Sequence, residues 1–278
     1  MKPRVHLVLG SGGARGIAHI GVIETLEQHH FEIVSVTGCS MGAVVGGMYC
    51  AGFLKEYKEW LLTLSKPKVF SLFDFTFTTS GFVKGEKVLS KMQDITGVQH
   101  IEQFPIKFTA VATDILHNKE VHYRRGDLYK ALRASIGIPG VFTPVLEDQT
   151  YLVDGGVLNP LPLNLVHKQA EDEIVVAVNI NATPHHAHAT VPHKRTAYNV
   201  IDLLNTSYDF TQDRLTQLMI QVHTPELLVE IPRSICSVFD FHQAKMLIEA
   251  GREACKKALR KKHISGLLLV TKPACSFI

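Results

Sequence analysis

Val5-His6-Leu7-Val8-Leu9 runs into Gly10-Ser11-Gly12-Gly13-Ala14-Arg15-Gly16, and the same plan recurs where Ile33-Val34-Ser35-Val36-Thr37 runs into Gly38-Cys39-Ser40-Met41-Gly42. Each apolar run has the length of a buried strand and ends in glycine. Beyond each turn the pattern becomes helical. Ile17, Ile20, Val22, Ile23 and Leu26 recur at helical spacing up to about residue 28, and residues 42–51 are small and apolar, as a helix packed on a sheet must be. Strand, turn and helix, twice over, form the pattern of a parallel α/β sheet. The expected architecture is a three-layer α/β/α sandwich with a mostly parallel central sheet, its site at the C-terminal ends of the strands.

Outward from this block, residues 54–64 suit a helix and residues 108–113 and 120–123 suit strands. Residues 127–135 suit a helix with Asp127 as its N-cap. Residues 150–153 and 174–179 read as further strands. Residues 182–196 have the strongest loop character, with Pro184, Pro192 and the histidines His185, His186, His188 and His193. Two long helices are expected beyond it. The second carries an apolar stripe of Ala244, Leu247, Ile248, Gly251, Ala254, Cys255, Ala258 and Leu259. One domain is expected over residues 1–278, with the motif-bearing part at about 5–181, a helical part at about 196–263 and a tail over 264–278.

Bulk composition excludes several classes. Hydrophobic residues at 46% with charged residues at 20% argue for a packed core and against disorder. A net charge of +3 is too small for nucleic-acid binding. The five cysteines are odd in number, widely spaced and without a Cys-x-x-Cys pair, which argues for a reducing compartment and against a disulfide framework or structural zinc. The apolar run after Met1-Lys2-Pro3-Arg4 is too short for a signal peptide, and no stretch reaches the roughly 18 apolar residues of a membrane span. A cytoplasmic protein is expected, with peripheral contact at the inner membrane surface left open.

Three motifs carry chemistry. Gly38-Cys39-Ser40-Met41-Gly42 is a Gly-x-Ser-x-Gly turn between a strand and a helix. A nucleophilic serine must project from a very sharp turn, side chains two residues to either side would clash there, and the helix N-terminus beyond favours developing negative charge. Gly10 to Gly16 fails as a dinucleotide site because Arg15 stands where the third glycine belongs, and it lacks the Gly-Lys-Ser/Thr of a P-loop. As an oxyanion hole it makes sense, since consecutive glycines at a helix start leave backbone N–H groups uncovered; a tight turn without a ligand is the other reading. Asp154-Gly155-Gly156 comes after the strand at 150–153 and is either a plain turn or a carboxylate held against another strand end. Nucleophile, oxyanion donors and carboxylate at strand ends together are what acyl transfer requires.

The chain resembles the bacterial patatin-like phospholipases over residues 5 to about 181. Four blocks carry the resemblance in order: Gly12-Gly13-Ala14-Arg15-Gly16 with His19-Ile20-Gly21-Val22, the turn Gly38 to Gly42, Ala134-Ser135-Ile136-Gly137-Ile138-Pro139, and Asp154-Gly155-Gly156. The resemblance implies a patatin-like fold and a Ser–Asp dyad without histidine, with Ser40 as nucleophile and Asp154 as base. It places the oxyanion hole on the backbone of Gly12, Gly13 and Ala14, with Arg15, Gly38, Gly42 and Gly155 in support. The implied reaction is hydrolysis of a phospholipid or other lipid ester through an acyl-enzyme, with no cofactor and no metal.

Rival readings stay open at this stage. A Ser–Asp–His triad would need one of His167, His185, His186, His188, His193, His223, His242 or His263, none of which comes after a recognisable strand. A non-catalytic lipid- or acyl-binding protein could use the same cleft. The four loop histidines fit no structural zinc spacing and read as a solvated loop. Cys39 stands beside the nucleophile and reads as buried and inert. Phe73, Phe75 and Phe77, within the aromatic stretch from Phe70 to Phe82, are either core or an acyl-chain wall and flap. Lys256, Lys257, Arg260, Lys261 and Lys262 read as helix C-terminal charges or as a membrane-facing patch.

Overall fold

The computed structural model describes residues 2–78, 81–183 and 199–264. In chain order these form β1 (Arg4–Leu9), α1 (Ala18–Gln28), β2 (Glu32–Cys39), α2 (Met41–Cys50), α3 (Leu54–Leu62), α4 (Lys66–Leu72), β3 (Phe75–Thr78), β4 (Gly81–Val83), α5 (Glu86–Thr96), β5 (Lys107–Asp114), β6 (Lys119–Tyr123), α6 (Leu128–Ser135), β7 (Val145–Glu147), β8 (Thr150–Asp154), β9 (Ile174–Ala182), α7 (Val200–His223), β10 (Leu227–Pro232) and α8 (Ala244–Ile264). The rest of the proline- and histidine-bearing loop, residues 184–198, and the tail beyond residue 264 lie outside the described residues.

Strands β10, β9, β1, β2 and β5 lie side by side and all run parallel. β6, β8 and β7 add antiparallel pairing at the β5 end. The central strand β1 is buried along nearly its whole length, which is why it reads as a continuous apolar run. Helices cover the sheet, so the layered, mostly parallel architecture expected from the sequence is the one observed. The core joins Leu7 and Leu9 of β1 with Ile20 and Ile23 of α1, Val45 and Met48 of α2, and Leu247 and Ile248 of α8.

One detail of pairing positions the site. Ala110 of β5 pairs with Gly38 of β2 and Tyr123 of β6, so β2 and β6 flank β5 on opposite edges. Ala112 pairs with Val121 of β6 and Asp154 of β8, so β8 lies on the same edge as β2. β2 ends there with Cys39 opposite Val111, and β8, running the other way, ends with Asp154 opposite Ala112. The two strands meet end to end on one edge of β5. β8 is fixed in turn by β7, to which it is joined through Asp148 and Gln149, both left-handed at φ 45° and 64°. Two such residues make the hairpin turn whose twist matches the strands.

The C-terminal third is fully part of this packing. α8 crosses α1 at backbone contact distance: a Cβ on Gly21 would stand 1.9 Å from the Ile248 carbonyl oxygen, and one on Gly251 would stand 1.9 Å from that of Ala18. The two expected helices are present as α7 and α8, but between them lies β10, an edge strand that sequence reading did not anticipate. α7 turns polar side chains inward, Gln212 and Thr216 being buried while Leu203, Leu204 and Phe210 are exposed. Asp127 caps α6 as expected, its carboxylate accepting the Lys130 N–H at 2.9 Å. No described helix is long and apolar enough to cross a membrane.

Candidate active site

Ser40 stands at the junction of β2 and α2 with φ 55° and ψ −123°, a backbone conformation that is strained for any residue but glycine. The glycines two residues to either side make the turn possible. A Cβ on Gly42 would lie 2.2 Å from the Leu9 carbonyl oxygen, and one on Gly38 would lie 2.5 Å from that of Gly42. The Ser40 N–H donates to Ser135 Oγ at 3.0 Å, and that hydroxyl donates to the Val111 carbonyl at 2.6 Å. Sequence reading had placed Ser135 in a motif block without giving it a role.

Ser40 Oγ donates to Asp154 Oδ2 at 2.5 Å. Both residues are buried, Asp154 completely. The other carboxylate oxygen accepts the Gly156 N–H at 2.7 Å, and the Cys39 thiol lies 3.8 Å from it. Burial pushes the Asp154 carboxyl up to about 6, against the hydrogen bonds from Ser40, Gly156 and Cys39 that favour its ionised form. Gly155 packs against the Val111 carbonyl and Cys39, where no side chain fits. Burial, then the charge of Asp154, raises the Cys39 thiol well above its ordinary value, which keeps it protonated and a poor nucleophile. Among the described residues no histidine is hydrogen-bonded to Ser40 or Asp154, and no group of three or more His, Cys, Asp or Glu is placed to hold a metal.

The glycine-rich loop borders the same site. Gly13 and Ser40 both line one cavity. Gly13 has φ 58°, and a Cβ there would lie 2.7 Å from the Val238 carbonyl oxygen. That carbonyl accepts the Ala14 N–H at 2.9 Å. The expectation of three free donors is therefore corrected: Ala14 is engaged, because the loop before α8 packs on it. No protein acceptor meets the N–H of Gly12 or Gly13 among the described residues. The Met41 N–H, first of α2, has no partner within the helix, and Met41 lines the same cavity. Arg15 is buried and its Nε donates to the Gly12 carbonyl at 3.1 Å, with a further bond to the Arg233 carbonyl at 3.2 Å. Burial and the nearby Arg233 lower its pKa. His19 Nε2 donates to the Gly10 carbonyl at 2.9 Å, and burial lowers its pKa to about 4, leaving it neutral.

The cavity holds about 890 Å³ of empty space, counting the part open to solvent. Beyond Ser40 its walls are almost wholly apolar, with Trp60 of α3, Leu72 of α4, Leu89 and Met92 of α5, and Phe142 from the loop between α6 and β7. Phe73 lines it. Phe75 does not: its ring lies outside, against Phe70 and Phe73. The side chain of Phe77 lies outside the described residues.

The family model for patatin-like phospholipases matches residues 7–167. The chain belongs to this family. An uncharacterized NTE family protein of Mycobacterium tuberculosis is 33% identical, across 95% of this chain and 93% of its own length. Lysophospholipase NTE1 of Candida albicans is 32% identical over 64% of this chain and 13% of its own. The crystal structure of VipD from Legionella pneumophila aligns with 94% of this chain and 67% of its own at a TM-score of 0.48 and 12% identity, too loosely to add to the case. Patatin-like membership places the chain among lipid hydrolases of esterase type.

Proposed function

We propose that this patatin-like protein hydrolyses carboxylic esters of lipid acyl groups through an acyl-enzyme on Ser40, with Asp154 as general base and no histidine. The observation that carries the reading is the 2.5 Å hydrogen bond from Ser40 Oγ to a fully buried carboxylate at the head of an apolar cavity. Ser40 Oγ passes its proton to Asp154 Oδ2 as it attacks the ester carbonyl. The oxyanion forms beside the free N–H groups of Gly12, Gly13 and Met41, donors that act best in a dry, preorganised site. Asp154 then gives the proton to the leaving alcohol. Water repeats the sequence on the acyl-enzyme, with Asp154 taking its proton and Ser40 Oγ recovering one.

A solvated aspartate near pKa 3.9 is a weak base at neutral pH. A carboxyl raised to about 6 is better matched to the task, and burial supplies that shift. The apolar walls suit an acyl chain, whose burial contributes about 0.8 kcal/mol per CH₂. Because α8 shares the core with β1 and α1, we also read the chain as one domain.

A fluorophosphonate probe tests the assignment. It should label Ser40 alone, and Ser40→Ala should abolish both labelling and release of fatty acid from lysophospholipid. A protein that only bound acyl chains in this cavity would take up no label. Labelling at another serine would overturn the assignment.

A further inference from the structure

Exposed aromatic and basic side chains from residues 66–75 and 82–87 stand next to residues that line the cavity. Phe70 is 66% exposed, Phe75 52% and Phe239 43%. These rings form a chain of contacts. Phe70 and Phe75 have centroids 5.1 Å apart, Phe75 and Phe73 6.0 Å, and Phe73 and Phe239 6.0 Å. Phe73 and Phe239 line the cavity, so aromatic surface runs unbroken from solvent to the space beside Ser40. Contiguous exposed apolar surface of this kind marks an interaction site.

Charge accompanies it. Residues 66–87 hold four lysines, Lys66, Lys68, Lys84 and Lys87, against two carboxylates, Asp74 and Glu86, a surplus of two in a chain whose net charge is +3. All four lysines are exposed, and none pairs with a carboxylate among the described residues. Lys66 shares a helix face with Phe70, four residues on. Lys84 is tied by its backbone to Asp74, between Phe73 and Phe75. The Asp74 carboxylate is already engaged, accepting the N–H groups of Gly85 at 2.6 Å, Glu86 at 2.9 Å and Lys87 at 3.2 Å.

We propose that this rim is a docking surface for an anionic lipid bilayer, from which an acyl chain passes along the phenylalanines into the cavity; the proposal rests on the lipid-ester reading above. Aromatic rings settle at the boundary between headgroups and acyl chains, and lysines beside them draw on acidic headgroups. A second copy of the chain is a poorer fit, because it would bring the same surplus of lysines against this one.

Vesicle sedimentation tests the proposal. The intact protein should sediment with vesicles of mixed phosphatidylcholine and phosphatidylglycerol, and far less with phosphatidylcholine alone. Lys66→Gln with Lys84→Gln should weaken binding to the mixed vesicles by about fivefold per lysine, and added salt should do the same. Phe70→Ser with Phe75→Ser should release the protein from both vesicle types with little change in melting temperature. Hydrolysis of a water-soluble short-chain ester should be unchanged in both double variants. The Ser40→Ala protein should bind vesicles as the wild type does, which separates docking from catalysis: loss of hydrolysis bears on Ser40 alone. Equal sedimentation of the phenylalanine variant and wild type would overturn the proposal. So would a dimer in solution that dissociates on Phe70→Ser without any vesicle binding, since the rim would then belong to a second copy.

Discussion

Ser135 braces Ser40 from behind: its Oγ accepts the Ser40 N–H at 3.0 Å and donates to the Val111 carbonyl at 2.6 Å. One hydroxyl thus ties the strained serine turn to β5, the strand against which β2 and β8 both end. Ser135→Ala leaves two buried backbone groups without a partner, each costing about 1–3 kcal/mol. The expected outcome is a lower melting temperature together with a fall of about 10- to 100-fold in kcat and little change in KM, as positioning alone is lost. Steady-state kinetics on the folded variant check this.

On the proposed mechanism, Asp154 sets the pH dependence. It must be ionised to take the proton from Ser40, so kcat/KM should fall below about pH 6, the value to which burial raises it. The stability effect has the opposite sense. A carboxyl whose folded pKa lies above its unfolded value favours folding when protonated, and that contribution is lost as pH rises through 6. Asp154→Asn should therefore abolish activity while stabilising the fold at pH 7 by about 1–3 kcal/mol, the gain shrinking as pH falls from 6 toward 4. Thermal melts across this range measure it.

The serine turn makes a similar point through the backbone. Ser40→Ala keeps the φ of 55° and its strain, whereas Ser40→Gly relieves it. Both should be inactive, and the glycine variant should melt higher, by the equivalent of about 1 kcal/mol or more. Calorimetry on the pair decides.

Histidine should be dispensable. Changing His167, His185, His186, His188, His193, His223, His242 or His263 singly to glutamine should leave most activity. A loss of about 10³-fold in any one, some 4 kcal/mol of barrier, would restore a triad.

Chain-length selectivity should separate two phenylalanines. Phe73→Ser removes cavity wall and should penalise long acyl chains more than short ones, whereas Phe75→Ser should leave the preference for chain length among soluble esters as it was. A chain-length series of nitrophenyl esters reads this directly.

Local pattern carried much of this into view. Gly38 and Gly42 around Ser40 announce a sharp turn because the clash they avoid is local. The apolar runs of β1 and β2 announce a parallel sheet because both faces are covered. What could not be read was set by distant pairing. That Asp154 meets Ser40 was implied by the family resemblance alone, because β8 continues the β5 edge where β2 ends, a relation with no trace in residue spacing. Ala14 is engaged by the Val238 carbonyl, more than two hundred residues away. β10, an edge strand between two long helices, is not marked by the flanking turns that set off β1 and β2. The inward Gln212 and Thr216 of α7 run against the usual apolar pattern.

The turn at Asp148 and Gln149 has a consequence for evolution and engineering alike. It sits at the far end of β8 from the carboxylate, about 17 Å away for five residues of strand. Its two left-handed residues set the register of β7, the outer strand, on β8, while β8 itself pairs directly with β5. An insertion of one residue that slid β8 along β5 would carry Asp154 about 3.3 Å from its place and turn its side chain to the other face of the sheet. Such a protein would keep its core and lose its chemistry. Loop grafts at this hairpin therefore have to leave the β8–β5 pairing in place, because that pairing sets where the proposed base stands.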